Sequence, residues 1–379
     1  MAELARQSEV NLNERGGDGK DQGDETMNTN TFDQAQVQNN SQTSKTGTKK
    51  KRLLLGCICC TVITVVPILL LVMCIASVSR VPDNYTLKNK TGGPIEAKYL
   101  AMGEHEVSYF ESSALMSFEK FEIFYPSDIA SIDKTLPVVV FVNGTGSKGS
   151  KYPALQKHLA SWGFITIATE EVHAWSGFSA EMSVRYLELI NAYAGEANGH
   201  PNPFHGKINL DCIGITGHSQ GGFGVVNAIT TERHHESYKA AVILSSNAQT
   251  NPALLWEADA TQINAPTMII GSTGNIDKLL ASLESLQVLY SQIPNTVPKL
   301  LALRNDADHG QMLYYADGYV TAWFMWLLQD DKEAAKAFIG EKPELLTNPL
   351  YQDQKLDLGS LTLPDEAETE KIRGMGTKQ

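Results

Sequence analysis

Hydrophobic and polar positions divide this chain into a polar tail, one long apolar run and an alternating body. Residues 1–48 are rich in Asn, Gln, Thr, Ser, Gly and Asp and show no apolar period able to bury a face, so 1–52 are expected to form a disordered tail with a basic end. Residues 53–78 form an apolar run without a charge, directly after Lys49-Lys50-Lys51-Arg52. At ~1.5 Å per residue the run is long enough to cross a ~30 Å hydrocarbon layer, which predicts a single transmembrane helix. A buried core helix of that length without a polar face is the lesser alternative, and the long polar segment ahead of it argues against a cleaved signal peptide. The basic cluster before the run predicts a type II orientation, with residues after 78 extracytoplasmic.

Residues 79–98 read as a polar stalk bearing the sequons Asn84-Tyr85-Thr86 and Asn89-Lys90-Thr91. From 99 to 357 short β-rich runs alternate with helical patterns, which predicts a doubly wound α/β domain with a mostly parallel sheet; residues 358–379 are expected to fray. Residues 106–111 and 118–125 predict a leading antiparallel pair, and 136–142 is a continuous β-branched run of the kind buried on both faces. Leu155, Leu159 and Trp162 recur at helical spacing before a strand at 164–169, and Met182, Tyr186, Leu189 and Tyr193 mark one face of a helix over 181–194. Strands follow at 211–216, 266–271 and 299–303, and a Trp- and Phe-rich helix begins near Tyr315.

The 211–216 strand runs into Gly217-His218-Ser219-Gln220-Gly221-Gly222 and then a helix carrying Val225, Val226 and Ile229. Strand, tight Gly-x-Ser-x-Gly turn and helix together describe a nucleophile elbow, which presents the Ser219 hydroxyl at a helix N-terminus; the competing role is a simple N-cap. A serine hydroxyl needs a base, and His309 in Asp306-Ala307-Asp308-His309-Gly310 lies in a loop after a late strand, with His173 as competitor. His218 is expected to pack, and His234-His235 to be a solvated pair. An acid belongs on the loop after 266–271, where Asp277 is the only carboxylate, although capping a helix from Lys278 is a rival role. Asp306 and Asp308 are further alternatives, each close in sequence to His309. Backbone amides of Gln220 and of Thr145, in Asn143-Gly144-Thr145-Gly146, are the candidate oxyanion donors. A glycan on the Asn143 sequon would block this loop, so that sequon is read as unused.

Net charge is −12, and through Arg52 the 8 Lys and Arg balance 8 Asp and Glu, so the whole imbalance lies in the body. An acidic body disfavours a nucleic-acid partner. Four of the 5 cysteines, Cys57, Cys59, Cys60 and Cys74, lie in the apolar run; for Cys57, Cys59 and Cys60, at its cytoplasmic end, small apolar filler is the commoner use and palmitoylation the other, and Cys212 is expected to be a buried free thiol. The glycines at 144 and 146 lack the third glycine and acidic partner of a dinucleotide loop, no metal-ligand cluster stands out, and no cofactor is expected. Nothing in the pattern sets an oligomeric state.

With these residues in view, roughly residues 100–350 resemble the α/β-hydrolase superfamily, and within it the cutinase-like polyester hydrolases, dienelactone-hydrolase-like esterases and chlorophyllases. The resemblance rests on the Asn143–Gly146 loop, Leu159-Ala160-Ser161-Trp162-Gly163-Phe164 entering a strand, the elbow, and Asp308-His309-Gly310 before an aromatic helix. It implies an α/β-hydrolase fold with Ser219 as nucleophile, His309 as base and Asp277 as acid. Joined to the predicted transmembrane helix, this gives a membrane-anchored serine esterase acting on a small-molecule or lipid-like ester, with a catalytically idle surface binding module, or an acyltransferase or peptidase using the same nucleophile, as the alternatives. This chain departs from the polyester hydrolases in three places. Thr145 stands where they usually present Phe or Tyr, Asn275 stands where their acid lies, and Cys212 alone cannot form their C-terminal disulfide.

Overall fold

The computed structural model of the chain describes residues 81–197, 199–249, 256–359 and 361. The tail, the apolar run at 53–78 and most of the segment from 358 lie outside them. Among the described residues no helix is long and apolar enough to cross a membrane.

Among the described residues nine strands form one sheet: β1 (Val107–Ser113), β2 (Lys120–Pro126), β3 (Leu136–Val142), β4 (Ile165–Thr169), β5 (Ile208–His218), β6 (Tyr238–Leu244), β7 (Thr267–Ser272), β8 (Lys299–Arg304) and β9 (Tyr351–Asp357). Their spatial order is β1-β2-β4-β3-β5-β6-β7-β8-β9. Pairings from β4 through β8 are parallel, and antiparallel strands close both edges. The principal helices are α1 (Pro94–Leu100), α2 (Pro153–Ser161), α3 (Phe178–Ala192), α4 (Gln220–Thr230), α5 (Asn275–Leu280), α6 (Leu283–Gln292) and α7 (Asp317–Gln329). The run at 136–142 explains why helices cover both faces. Val139 and Phe141 of β3 face a core shared with Leu155 and Leu159 of α2 and Trp323 and Phe324 of α7. Val138, Val140 and Val142 face a second core with α3, α4 and α6.

Burial differs from expectation in three places: the face of α3, the segment before β1 and Cys212. The face of α3 against the sheet is Ala180, Val184, Leu187 and Ile190, while Leu189 and Tyr193 are more than half exposed. Both stripes have helical spacing; the short and branched one fits the sheet, and Tyr186 lies at its margin, stacked on Phe121 at 4.4 Å.

The segment expected as a stalk belongs to the domain from Val81 onward. Val81, Tyr85 and Glu96 are buried. Tyr85 Oη–H donates to Asp317 Oδ2 at 2.5 Å. The Glu96 carboxylate accepts from Arg304 Nη1 at 3.2 Å, Tyr351 Oη at 3.1 Å and Asn348 Nδ2 at 2.8 Å, while Arg304 Nη2 donates to the Lys90 carbonyl at 2.6 Å. The polar character read as solvation is that of partners to buried ionic groups. Asn89 is likewise engaged, Nδ2 donating to the Tyr314 carbonyl at 2.5 Å, which leaves Asn84 as the exposed sequon asparagine of the pair. Cys212 is free but only half-buried, its thiol 3.5 Å from the Leu328 carbonyl.

Removing residues 81–98 leaves Arg304 and Asp317 buried without these partners. Breaking a buried ion pair from one side typically costs ~3–5 kcal/mol. A chain beginning at Tyr99 is therefore expected to lose at least ~3 kcal/mol in a denaturant titration against one beginning at Val81; coincident midpoints would show that the segment is an appendage.

Candidate active site

β5 ends at His218 and α4 begins at Gln220, so Ser219 makes the whole turn, at φ 57° and ψ −123°. Neighbouring glycines explain how the chain closes so tightly. A Cβ on Gly217 would lie 2.4 Å from the Gly221 carbonyl oxygen, and one on Gly221 would lie 2.2 Å from that of Val142. Ser219 occupies the N-cap position but its side chain caps nothing. Its hydroxyl lies 3.0 Å from His309 Nε2.

His309 is almost wholly buried, in the loop after β8, and its Nδ1 is 2.6 Å from Asp277 Oδ1. With that carboxylate as acceptor the neutral ring carries its proton on Nδ1, leaving Nε2 to accept from Ser219. The other Asp277 oxygen accepts from Ser245 Oγ at 2.6 Å and from the Ser272 amide at 2.7 Å. Burial pushes the Asp277 carboxyl up, but His309, Ser245 and Ser272 outweigh it and hold its pKa below the usual carboxylate range. The rival capping role falls away because α5 begins at Asn275 with Gly274 as its N-cap, which places Asp277 inside the first turn.

The other candidates are dispersed. Asn275, Asp306 and His173 are exposed. Asp308 points to backbone amides, taking those of Ile276, Asp277 and His309 on one oxygen. His218 packs as expected and also braces the base, its Nε2–H donating to the His309 carbonyl at 2.7 Å. Burial first, then the neighbouring His309 charge, pushes its pKa down to about 3, so the ring is neutral. His234 is not a solvated residue, since its ring bridges Glu181 and Glu188 at 3.0 Å each: the turn after α4 folds back onto α3.

The Gln220 amide is the first N–H of α4 and has no acceptor within the helix. Thr145 lies in the loop after β3, which is pressed against the elbow: a Cβ on Gly144 would sit 2.9 Å from the His218 carbonyl oxygen and 3.6 Å from Ser219 Cβ. Asn143 fixes that loop by donating from Nδ2 to the carbonyls of Thr169 and Glu171, at 2.7 and 2.8 Å. The Asn143 side-chain nitrogen is thus engaged in two buried bonds.

Ser245 is the neighbour the motifs did not reveal. It follows β6 directly, at the same sheet edge as the elbow, with φ 48°. Its only sequence signal is that position after the strand next to the one that carries Ser219.

A family model described as PET hydrolase-like (PETase) matches residues 88–354. A bis(hydroxyethyl) terephthalate hydrolase of Streptomyces coelicolor is 24% identical over 200 residues, 52% of this chain and 57% of that protein. The chain thus spans somewhat more than half the length of that curated relative.

A histidine held neutral binds fewer protons folded than unfolded, so its contribution to stability is present above its ordinary pKa of 6.5 and is lost as pH falls toward about 3. The lowered Asp277 acts in the same direction at lower pH. His218→Gln is expected to flatten the decline of unfolding free energy between about pH 6 and 4, by up to ~1.4 kcal/mol per pH unit. An unchanged slope in denaturant titrations across that range would overturn this account of His218.

Proposed function

We propose, since the chain belongs to the PET hydrolase-like family, that it is a serine hydrolase of carboxylic esters working through an acyl-serine intermediate on Ser219. The observation that carries this reading is the continuous line of contacts from Asp277 Oδ1 through His309 to the Ser219 hydroxyl, at 2.6 and 3.0 Å, ending on a strained elbow. As Ser219 Oγ attacks the ester carbonyl carbon, its proton passes to His309 Nε2, and the amides of Gln220 and Thr145 receive the negative charge that develops on the carbonyl oxygen. The bond to the alcohol oxygen then breaks as Nε2 returns the proton to that oxygen. Water repeats the sequence in reverse: it gives a proton to Nε2, attacks the acyl carbon, and releases the acid as Ser219 recovers its hydrogen. Asp277 keeps the imidazole in the required tautomer and steadies the imidazolium.

The relative's name supports an ester with an aromatic acid part as the first substrate to try. Thr145 supplies no ring to the oxyanion loop, which favours a small soluble ester over a polymer chain.

The reading includes a membrane anchor. The apolar run at 53–78 behind four basic residues supports a type II span, and only two residues separate it from Val81, itself buried in the domain. Three residues reach at most about 10 Å, so an anchored domain lies against the bilayer with no stalk between.

Ser219→Ala is expected to abolish labelling by a fluorophosphonate probe and to lower ester turnover by ~10⁴ or more. Asp277→Ala should lower kcat by a factor of the same order, and Asn275→Ala should leave it within a few-fold. A wild-type protein that neither labels nor turns over short aryl esters would sink the reading. The anchor is checked by carbonate extraction of membranes from cells expressing the full chain, where release into the supernatant would refute it.

A further inference from the structure

Asp308 was a candidate acid, yet its carboxylate faces backbone. A single oxygen, Oδ1, accepts the amide of His309 at 2.8 Å, of Ile276 at 3.0 Å and of Asp277 at 3.2 Å. The first belongs to the loop after β8 and the other two to the start of α5 after β7. The backbones of the base and of the acid therefore converge on one atom, beside the direct contact between their side chains. The carboxylate is itself fixed: the Asp308 amide donates to Gln311 Oε1 at 2.9 Å and the Asp308 side chain accepts the Gln311 amide in return, a capping box over the turn that starts at His309. Gly274 makes the approach possible, because a Cβ there would lie 2.5 Å from the same Oδ1 and 2.5 Å from the Ala307 carbonyl oxygen.

From this juxtaposition we infer that Asp308 is a positioning residue for catalysis, which sets the separation of Asp277 and His309 by drawing their main chains onto one oxygen. The inference deepens the hydrolase reading and rests on it. Its physical basis is that two loops 32 residues apart must hold a 2.6 Å contact between a carboxylate and an imidazole, and a side-chain contact alone leaves both loops free to separate. A charged acceptor shared by three amides holds them more firmly than three bonds to water. What matters is an acceptor oxygen in that place, whereas the negative charge is secondary.

The test compares Asp308→Ala, Asp308→Asn and Asp277→Ala in the full chain. Asp308→Ala is expected to lower kcat on a short aryl ester by a factor on the order of 100 with KM little changed, since misplacement of about 1 Å at a reacting group costs that much. It should also shift or broaden the low-field proton resonance of the Asp277–His309 hydrogen bond. Asp308→Asn retains an oxygen at the same position and should keep kcat within about 10-fold of wild type with the low-field proton in place, a recovery that a merely charge-dependent role would not give. Should the alanine variant fail to fold, the asparagine variant decides alone: loss of kcat equal to that of Asp277→Ala in a folded protein overturns the inference. So does an alanine variant with unaltered kcat and resonance. In either case, loss of turnover in Asp277→Ala and Ser219→Ala leaves the hydrolase reading standing, whereas full turnover in those two variants removes the reading and the inference together.

Discussion

Ser219 is held in a backbone conformation that L-residues avoid, and the positions of His309 and of the loop after β3 are referred to it. Such a conformation costs of the order of 1–3 kcal/mol and persists only where its surroundings allow no cheaper one. Here the surroundings are the central strands. The Ser219 amide donates to the Leu244 carbonyl at the end of β6, and the Gly222 amide closes back on the Ser219 carbonyl. Gly221 lies against the end of β3 so closely that no side chain could enter. If the turn relaxed, the hydroxyl would leave the imidazole, and the loop after β3, pressed against the same turn through Gly144, would lose its reference.

The loop that carries His309 is braced differently. It runs from Arg304, the last residue of β8, to Asp317, the first of α7, and each of these two residues is buried in an ionic contact. Arg304 meets Glu96, and Asp317 meets His158 at 2.6 Å as well as the Tyr85 hydroxyl. Burial alone would lower the His158 pKa, but the Asp317 carboxylate raises it above its ordinary value. Pairs of this kind are poor sources of net stability, because removing two charges from water offsets most of their attraction. Their effect is geometric: they fix the two ends of the loop while its middle presents His309. Both are completed by residues from the segment that precedes β1.

Much of this was legible in the sequence. Apart from β6, for which no strand is predicted, the alternation of β-rich and helical runs describes the sheet from β3 to β8, since strands buried on both faces advertise themselves as unbroken β-branched runs. Ser219 and His309 stood out because an elbow and a loop histidine are local signals, each contained within a few residues. Asp277 was harder, for an aspartate at a helix start caps and orients with the same side chain, and only the true helix start at Asn275 together with the distance to His309 separates the two roles. What failed to show was always non-local. Ser245 is one serine among many until the neighbouring strand places it beneath Asp277. The stripe of α3 that meets the sheet competes with a second stripe of equal period. Glu96 and Asn89 looked solvated because their partners, Arg304 and Tyr314, lie more than 200 residues away.

The clasp between the first and last segments of the domain also has a consequence for biosynthesis. A ribosome makes Glu96 some 252 residues before Asn348, and at roughly 5–20 residues per second the carboxylate waits for its partners for many seconds. During that interval the early strands can pair and the elbow can form, and Arg304 and Asp317, once made, meet partners already synthesised: Glu96 for the one, Tyr85 and His158 for the other. The cluster around Glu96 is thus completed only when the segment from Asn348 to Tyr351 has been made.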